Sequence, residues 1–292
     1  MDEPFRLDRP ALRRAFERAA ETYDAAAVLQ KEVCQRMLAR LDFIHQAPAA
    51  ILDAGCGTGN ALAPLARRYP QARLIALDIA VPMVERARAR TPRWRRILGA
   101  AAPEALCADM QRLPLAAGSC GMVWSNLALQ WCDDPERVFS EMRRVLLPGG
   151  LLMFSTFGPD TLKELRAAYE GTDRHVHVNR FIDMHDLGDM LVRCGFADPV
   201  MDMEPLTLTY STVRDLMRDL KAIGARNLMR GRPAGLFGKA AFQTVAQRYE
   251  TYRRDGKLPA TFEVVYGHAW QPQPRVGPSG RPVIEIKPEK RP

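Results

Sequence analysis

One heptapeptide constrains the fold of this 292-residue chain more than any other feature: Asp53-Ala54-Gly55-Cys56-Gly57-Thr58-Gly59. A short apolar run precedes it, and a segment with the helical spacing of apolar residues follows it. Closely spaced glycines let a backbone turn sharply and approach a bound group without a Cβ clash, and the N–H groups that begin a helix attract negative charge. The heptapeptide, termed the glycine loop, therefore predicts a strand, a ligand-binding turn and a helix.

The rest of the chain repeats this pattern, because short apolar runs alternate with helical segments. Such alternation predicts an α/β fold with a mostly parallel sheet and helices on both faces. The predicted strands span residues 49–53, 73–78, 121–125, 150–156, 200–209 and 261–268. Two amphipathic helices within 11–41 form a helical cap, residues 1–48, ahead of a domain over 49–270. That domain contains a basic helical insertion at about 211–257, and the proline-rich residues 271–292 are predicted to be a flexible tail.

Charge and cysteine content exclude some classes of function. The net charge is +8, and residues 214–257 carry eleven Lys or Arg against four Asp or Glu, which suits an acidic partner. Nucleic acid is disfavoured as that partner because the sequence has neither zinc-finger spacing nor an aromatic RNA-binding signature. The six cysteines form no C-x-x-C pair, so we expect no metal site. No apolar run could cross a membrane and the acidic start lacks an export signal, so we expect a cytoplasmic protein.

Two further acidic residues accompany the glycine loop. Asp78 ends the second predicted strand, where a carboxylate can accept hydrogen bonds from both hydroxyls of a ribose. Asp109 lies farther along, directly before Met110. Nicotinamide dinucleotide enzymes also combine a glycine loop with an acid such as Asp78. The acid at Asp53, the G-x-G-x-G spacing and the third acid at Asp109 favour a cofactor other than a nicotinamide dinucleotide.

Together these elements resemble motif I, the motif II acid and the adenine-binding turn of the Rossmann-like class I methyltransferases, which have a seven-stranded, mostly parallel sheet. The resemblance implies S-adenosyl-L-methionine as cofactor. It also implies that Asp109 binds the adenine amino group, that Ile79 and Met110 sandwich the ring, and that Asn126 faces the methionine part. The cofactor-binding residues so predicted are Asp53, Gly55, Gly57, Gly59, Asp78, Ile79, Asp109, Met110 and Asn126.

Four further segments resemble one family more closely, the malonyl-[acyl-carrier protein] O-methyltransferases of biotin synthesis, and the similarity runs from about residue 10 to Trp270. The segments are Phe16-Glu17-Arg18-Ala19-Ala20-Glu21-Thr22-Tyr23, Trp124-Ser125-Asn126-Leu127-Ala128-Leu129-Gln130-Trp131-Cys132, His177-Val178-Asn179-Arg180-Phe181 and Gly224-Ala225-Arg226-Asn227. The resemblance implies methyl transfer to the free carboxylate of a malonyl group on an acidic acyl-carrier protein, giving the methyl ester primer for pimeloyl and biotin synthesis.

A carboxylate acceptor sets simple chemical requirements. It is ionised at neutral pH, so neither a metal nor a placed base is needed, but a cation must hold it. Arg180 is the first candidate for that role, and its alternative is a surface arginine between two helices. Tyr23 matches a family tyrosine that closes over cofactor and acceptor, although its ring could equally be core. The residues predicted to contact the acceptor or its carrier are Trp131, Phe181, Arg218, Lys221 and Arg226.

Two alternatives stay open at this level. An assembly factor of respiratory complex I that modifies an arginine shares the glycine loop and the stretch 126–131, although the acidic start argues against its mitochondrial targeting. The other alternative is a non-catalytic scaffold that binds S-adenosylmethionine and uses its basic face for RNA or a protein. The intact glycine loop, Asp78 and Asp109 argue against loss of the catalytic site.

Overall fold

A computed structural model describes residues 6–90, 102–225, 227–232 and 238–274. Arg226, one of the residues predicted to contact the acceptor or its carrier, lies outside these ranges. So do the first five residues of the predicted cap and residues 275–292 of the predicted tail.

Seven strands of the described residues form one sheet in the order β3-β2-β1-β4-β5-β7-β6. The strands are β1 Ala50–Ala54, β2 Arg73–Asp78, β3 Glu104–Cys107, β4 Cys120–Asn126, β5 Leu146–Phe157, β6 Ala197–Tyr210 and β7 Leu258–Trp270. Strand β7 pairs antiparallel with both β5 and β6, whereas the pairs among β1 to β5 are parallel. The predicted α/β fold with a mostly parallel sheet is confirmed.

Six of these strands match the runs predicted from sequence, and β3 was missed. Among the strands that the structure describes, β3 pairs only with β2, over four residues from Glu104 to Cys107, and both of its end residues are exposed. An edge strand needs no continuous apolar run because one of its sides has no neighbour to bury it. Its sequence therefore carries little of the signal that reveals the central strands.

Ten helices are described around the sheet. They are α1 Arg9–Ala19, α2 Tyr23–Ala26, α3 Val28–Arg40, α4 Leu62–Arg68, α5 Val81–Ala89, α6 Pro135–Val145, α7 Lys163–Tyr169, α8 Met184–Arg193, α9 Val213–Ala222 and α10 Lys239–Glu250. Alternate side chains of β4 enter different cores, since Met122 and Trp124 join one buried cluster and Val123 joins another. Helices α3, α7 and α10 contribute to the first cluster and α6 and α8 to the second, so both faces are covered.

The predicted cap contains one more helix than the sequence pattern indicated. The first amphipathic segment ends at Ala19, and the short α2 stands between it and α3. Val33 and Met37 of α3 are fully buried against the sheet, which fixes this helix to the core. Helix α1 is attached at its start, where the Asp8 N–H donates to the Leu228 carbonyl (2.8 Å). The helices of the described residues are all too short or too polar to span a bilayer.

Candidate active site

The donor cleft, as we term it, lies at the carboxyl ends of β1, β2 and β4. The strand order reverses at β1, and open parallel sheets bind ligands at such a point. The cleft holds about 600 Å³ of empty space, part of it open to solvent. The predicted site residues that line it are Tyr23, Gly55, Gly57, Asp78, Ile79, Asp109, Met110, Asn126 and Trp131. Of the residues predicted to bind the cofactor, Asp53 and Gly59 lie beside this lining rather than in it.

The glycine loop allows close packing at the floor of the cleft. Gly55 has φ +80°, and a Cβ on it would lie 2.3 Å from the Cβ of Ala128. A Cβ on Gly57 would lie 3.6 Å from a ring carbon of Tyr23, so the tyrosine ring covers the loop. Gly59 has a different task, because a Cβ there would come within 3.0 Å of Ala87 in α5. Gly55 and Gly57 therefore shape the cleft, whereas Gly59 permits helix packing.

Asp78 is held so that it can bind a ribose. Its Oδ2 accepts the Gly57 N–H (3.0 Å) and its Oδ1 accepts the Ala80 N–H (2.9 Å). Burial raises the pKa of Asp78, and these backbone N–H groups oppose that rise. A carboxylate has about four acceptor positions, so each oxygen keeps a lone pair for a hydroxyl. The residue therefore fits the role predicted for it.

Asp53 is a buried carboxyl at the end of β1, only 2% exposed. Its Oδ2 has no hydrogen-bond partner among the described residues. Burial, with a smaller contribution from the charge of Asp78, raises the pKa of Asp53 to about 8. A nearby positive charge would favour the ionised form of this carboxyl. S-Adenosylmethionine carries both a ribose and positive charges, so Asp53 and Asp78 together fit that ligand.

The raised pKa of Asp53 makes the stability of the cofactor-free protein depend on pH. The folded form keeps a proton up to pH about 8, whereas the unfolded chain loses it near the ordinary pKa of 3.8. The contribution of Asp53 to the free energy of unfolding is therefore fully present below pH 3.8. It is lost as the pH rises toward about 8, with a slope of up to about 1.4 kcal/mol per pH unit. We expect Asp53→Asn to lower this slope in urea unfolding measured across that window, while the raised pKa of Asp78 keeps part of it. Equal slopes for the variant and the wild type would contradict the assignment, and Glu104→Gln is the exposed control.

Asp109 is joined to the cap across the mouth of the cleft. Its Oδ2 accepts a hydrogen bond from the guanidinium of Arg9 at the start of α1, and its Oδ1 accepts the Gln111 N–H (3.0 Å). Arg9 also donates to the Trp131 carbonyl (3.0 Å). Helix α1 is thereby held against the predicted adenine-binding turn. Sequence reasoning missed Arg9, because nothing local marks a contact with a residue 100 positions away.

A second set of contacts ties Tyr23 to the glycine loop. The neighbouring Asp24 accepts hydrogen bonds from the Thr58 hydroxyl (2.5 Å) and from Arg90, directly after α5 (2.8 Å). Burial raises the pKa of Tyr23, with Asp78 the next contributor, so its phenol stays protonated and can donate a hydrogen bond. Tyr23 thus lines the cleft beside the glycine loop, and its role toward cofactor and acceptor stays a prediction.

Asn126 and Trp131 line the donor cleft, and Trp131 also lines a larger cavity. The Asn126 amide donates to the Gln30 carbonyl (2.9 Å) and accepts from Ser155 Oγ (2.9 Å), which fixes its orientation. Trp131 lines both cavities and packs edge-on against Phe16, with ring centroids 5.4 Å apart. Trp131 is therefore common to the walls of the two spaces.

The larger space, termed the acceptor cavity, has about 2070 Å³ of empty volume, part of it open to solvent. Its walls are mainly apolar and include Phe157, Leu165 and Phe262. The residues predicted to contact the acceptor or its carrier that line it are Trp131, Phe181, Arg218 and Lys221. Arg218 and Lys221 belong to α9 and are exposed, so they carry positive charge at the cavity's rim.

Arg180 does not line either of these cavities. It is exposed and borders a separate, smaller pocket together with Thr156 and Phe181. Phe181 belongs to both the small pocket and the acceptor cavity, and it packs edge-on against Phe157, with ring centroids 5.7 Å apart. Arg180 is thus adjacent to the acceptor cavity, and its carboxylate-binding role stays a prediction.

Comparisons with known proteins decide the family. A family model described as a methyltransferase domain matches residues 52–154. The malonyl-[acyl-carrier protein] O-methyltransferase of Gallionella capsiferriformans is 58% identical over 96% of this chain and 97% of its own length. The protein of the same name from Methylovorus sp. is 56% identical over 98% and 97%. The chain belongs to the malonyl-[acyl-carrier protein] O-methyltransferase family.

Solved structures of other proteins share the fold of this chain. The YcgJ protein of Bacillus subtilis is 13% identical, with a TM-score of 0.57, over 82% of this chain and 99% of its own. An S-adenosylmethionine-dependent methyltransferase of Thermotoga maritima is 17% identical, with a TM-score of 0.52, over 89% and 99%. At such low identity the likeness shows the fold alone. The predicted Rossmann-like class I methyltransferase fold is confirmed.

Membership of the malonyl-[acyl-carrier protein] O-methyltransferase family argues against the two alternative functions that the sequence left open. The relatives favour a methyltransferase over an arginine-modifying assembly factor and over a non-catalytic scaffold. S-Adenosylmethionine is the cofactor of this class of enzyme, as the resemblance implied. The individual site residues rest on the geometry described above, which brings most of them to one cleft and leaves Arg180 at its periphery.

Proposed function

We propose that the protein transfers a methyl group from S-adenosylmethionine to the free carboxylate of a malonyl group carried on acyl-carrier protein. One observation carries this proposal: Trp131 lines both the donor cleft and a largely apolar cavity with a cationic rim. The malonyl-[acyl-carrier protein] O-methyltransferases, 58% and 56% identical, support the choice of acceptor. The methyl ester removes a negative charge from the acyl group, which suits a primer for pimeloyl and biotin synthesis.

Methyl transfer to an ionised carboxylate requires alignment of the carboxylate with the methyl group and no proton transfer. S-Adenosylmethionine supplies an electrophilic methyl group on a positively charged sulfur, and an ionised carboxylate is nucleophile enough to accept it. Holding the two reactants in line can contribute up to roughly 7 to 11 kcal/mol in favourable model systems. Asn126 and Tyr23 line the donor cleft, and we propose that they orient the reacting groups. Trp131, in the wall of both spaces, and Phe181, in the wall of the acceptor cavity, exclude water from the bound acyl group.

The proposed partner is the acidic surface of the carrier protein rather than nucleic acid. Three exposed cations of α9, Arg214, Arg218 and Lys221, line the acceptor cavity and form its basic rim. Complementary charge speeds encounter and orients a partner. A rim at the cavity mouth places the carrier where its attached acyl group can enter. We propose the cytoplasm as the location, because S-adenosylmethionine and the carrier's acyl groups are made there.

Charge reversal tests the basic rim. We expect the double variant Arg218→Glu/Lys221→Glu to raise KM for malonyl-carrier protein about tenfold or more at low salt, with a smaller effect at high salt. The KM for a small malonyl thioester should change far less, because that substrate does not touch the rim. Arg86→Glu/Arg88→Glu on α5 is the matched reversal on another face of the molecule. Equal changes in KM for both acceptors would refute the role of the rim.

The acceptor itself is tested by removing its carboxylate. Formation of S-adenosylhomocysteine is measured with malonyl-carrier protein and with acetyl-carrier protein, which differ by that one group. We expect turnover with the malonyl form and none above background with the acetyl form. Equal turnover of both, or methylation of added RNA instead, would contradict the proposed function.

A further inference from the structure

Two buried amide side chains line the acceptor cavity and have a polar atom without a partner. Gln30 of α3 and Asn179, which follows α7, are each 8% exposed. Gln30 Oε1 and Asn179 Oδ1 have no hydrogen-bond partner among the described residues. Buried polar atoms in native proteins are nearly always paired, so an unpaired one calls for an explanation. A ligand in the cavity would supply the missing partner.

The surroundings of the two amides make them unusual in this cavity. Their neighbours in the wall are largely apolar and include Leu29, Val178 and Phe262. Thr161, another polar residue of the wall, already donates its hydroxyl to the Glu263 carbonyl (3.2 Å). An apolar cavity with a few placed polar groups is the usual form of a ligand site.

Gln30 is also tied to the donor cleft. Its backbone carbonyl accepts the Asn126 amide (2.9 Å), and Asn126 lines that cleft. A ligand group bound by the Gln30 side chain therefore lies near the place where methyl transfer occurs. The basic rim of Arg214, Arg218 and Lys221 lines the same cavity. The cations at the rim of the cavity can therefore bind an anionic end of a ligand, and the two amides in its wall can bind polar groups in the middle of that ligand.

We propose that Gln30 and Asn179 bind the secondary amides of the pantetheine arm on which the carrier protein holds its malonyl thioester. This inference rests on the proposed function. The arm is a flexible chain with a phosphate at one end, a thioester at the other and a pair of secondary amides between them. A primary amide complements a secondary amide, because its oxygen accepts the N–H while its NH₂ donates to the carbonyl. The two side chains thereby set the depth at which the malonyl group stops beside Asn126.

The test pairs enzyme variants with acceptors that differ in their amides. The variants are Asn179→Leu and Gln30→Met, which keep side-chain size but remove the amide. The acceptors are malonyl-pantetheine, which has both amides, and an S-propyl malonyl thioester, which has none. The measurement is kcat/KM for each acceptor at saturating S-adenosylmethionine. Met217→Leu, an apolar change in the same cavity, is the control.

We expect each variant to lower the ratio of kcat/KM for malonyl-pantetheine to that for the S-propyl thioester by about three- to tenfold, the usual effect of one lost hydrogen bond. The control should preserve the ratio. A proportional loss on both acceptors would overturn the inference and would mark the amides as structural. If the wild-type enzyme does not methylate malonyl-carrier protein in a parallel assay, the proposed function fails instead, so the two failures are distinguishable.

Discussion

Replacing Gly55 by alanine is expected to lower kcat/KM for S-adenosylmethionine by about 100-fold or more, the scale at which a displacement of about 1 Å damages a site. The new Cβ would lie 2.3 Å from the Ala128 Cβ, which is fixed to the backbone and cannot rotate away. It would also lie 3.1 Å from Met110 Cε, next to the predicted adenine site. The backbone at Gly55, with φ +80°, adds a cost of about 1–2 kcal/mol for a residue with a side chain.

A matched control separates the steric clash from the backbone cost. Gly256 has φ +73°, and a Cβ there would meet no atom within 4 Å. Gly256→Ala should therefore lose a comparable amount of stability and keep its affinity for S-adenosylmethionine, measured by calorimetry. Normal cofactor affinity in Gly55→Ala would show that the loop does not contact the ligand as proposed.

Asp78→Ala is expected to weaken S-adenosylmethionine binding by about 10² to 10⁴-fold. The carboxylate would no longer receive the ribose hydroxyls, and a hydrogen bond to a charged group contributes about 1.5–3 kcal/mol. The N–H groups of Gly57 and Ala80 would lose their acceptor as well, which loosens the glycine loop in the bound state. The dissociation constant from calorimetry checks the expectation.

The control for Asp78 is an acid on the neighbouring strand. Glu104 of β3 is exposed and makes a surface contact with Arg73 at 3.6 Å. Exposed pairs of this kind contribute about 0–1 kcal/mol, so Glu104→Ala should bind S-adenosylmethionine normally. Similar affinities for Asp78→Ala and the wild type would exclude the ribose role.

The central sheet could be predicted from the sequence because its strands are buried on both faces and read as apolar runs. Such strands include β1, β2 and β4. Together with the glycine loop, which its own motif predicts, they form most of the donor cleft. The edge strand β3 escaped prediction because its exposed ends break the run. The short α2 escaped it too, because four residues are too few to show a helical period.

Long-range contacts account for what the sequence did not reveal at the site. Arg9 reaches Asp109, and Asp24 joins Thr58 and Arg90, through folding that brings the cap onto the sheet. Gln30 lies in the wall of the acceptor cavity with a buried oxygen that has no partner among the described residues, a position that only the folded chain gives it. Such contacts leave no local pattern in the chain. Motifs and residue spacing therefore could not predict them.

The most direct measurement follows the methyl group itself. The protein is incubated with isotopically labelled S-adenosylmethionine and malonyl-carrier protein, and mass spectrometry locates the label on the product. We expect one added methyl group on the terminal carboxylate, as an ester that mild base removes. Label on a carrier side chain, on nucleic acid or on no added acceptor would contradict it.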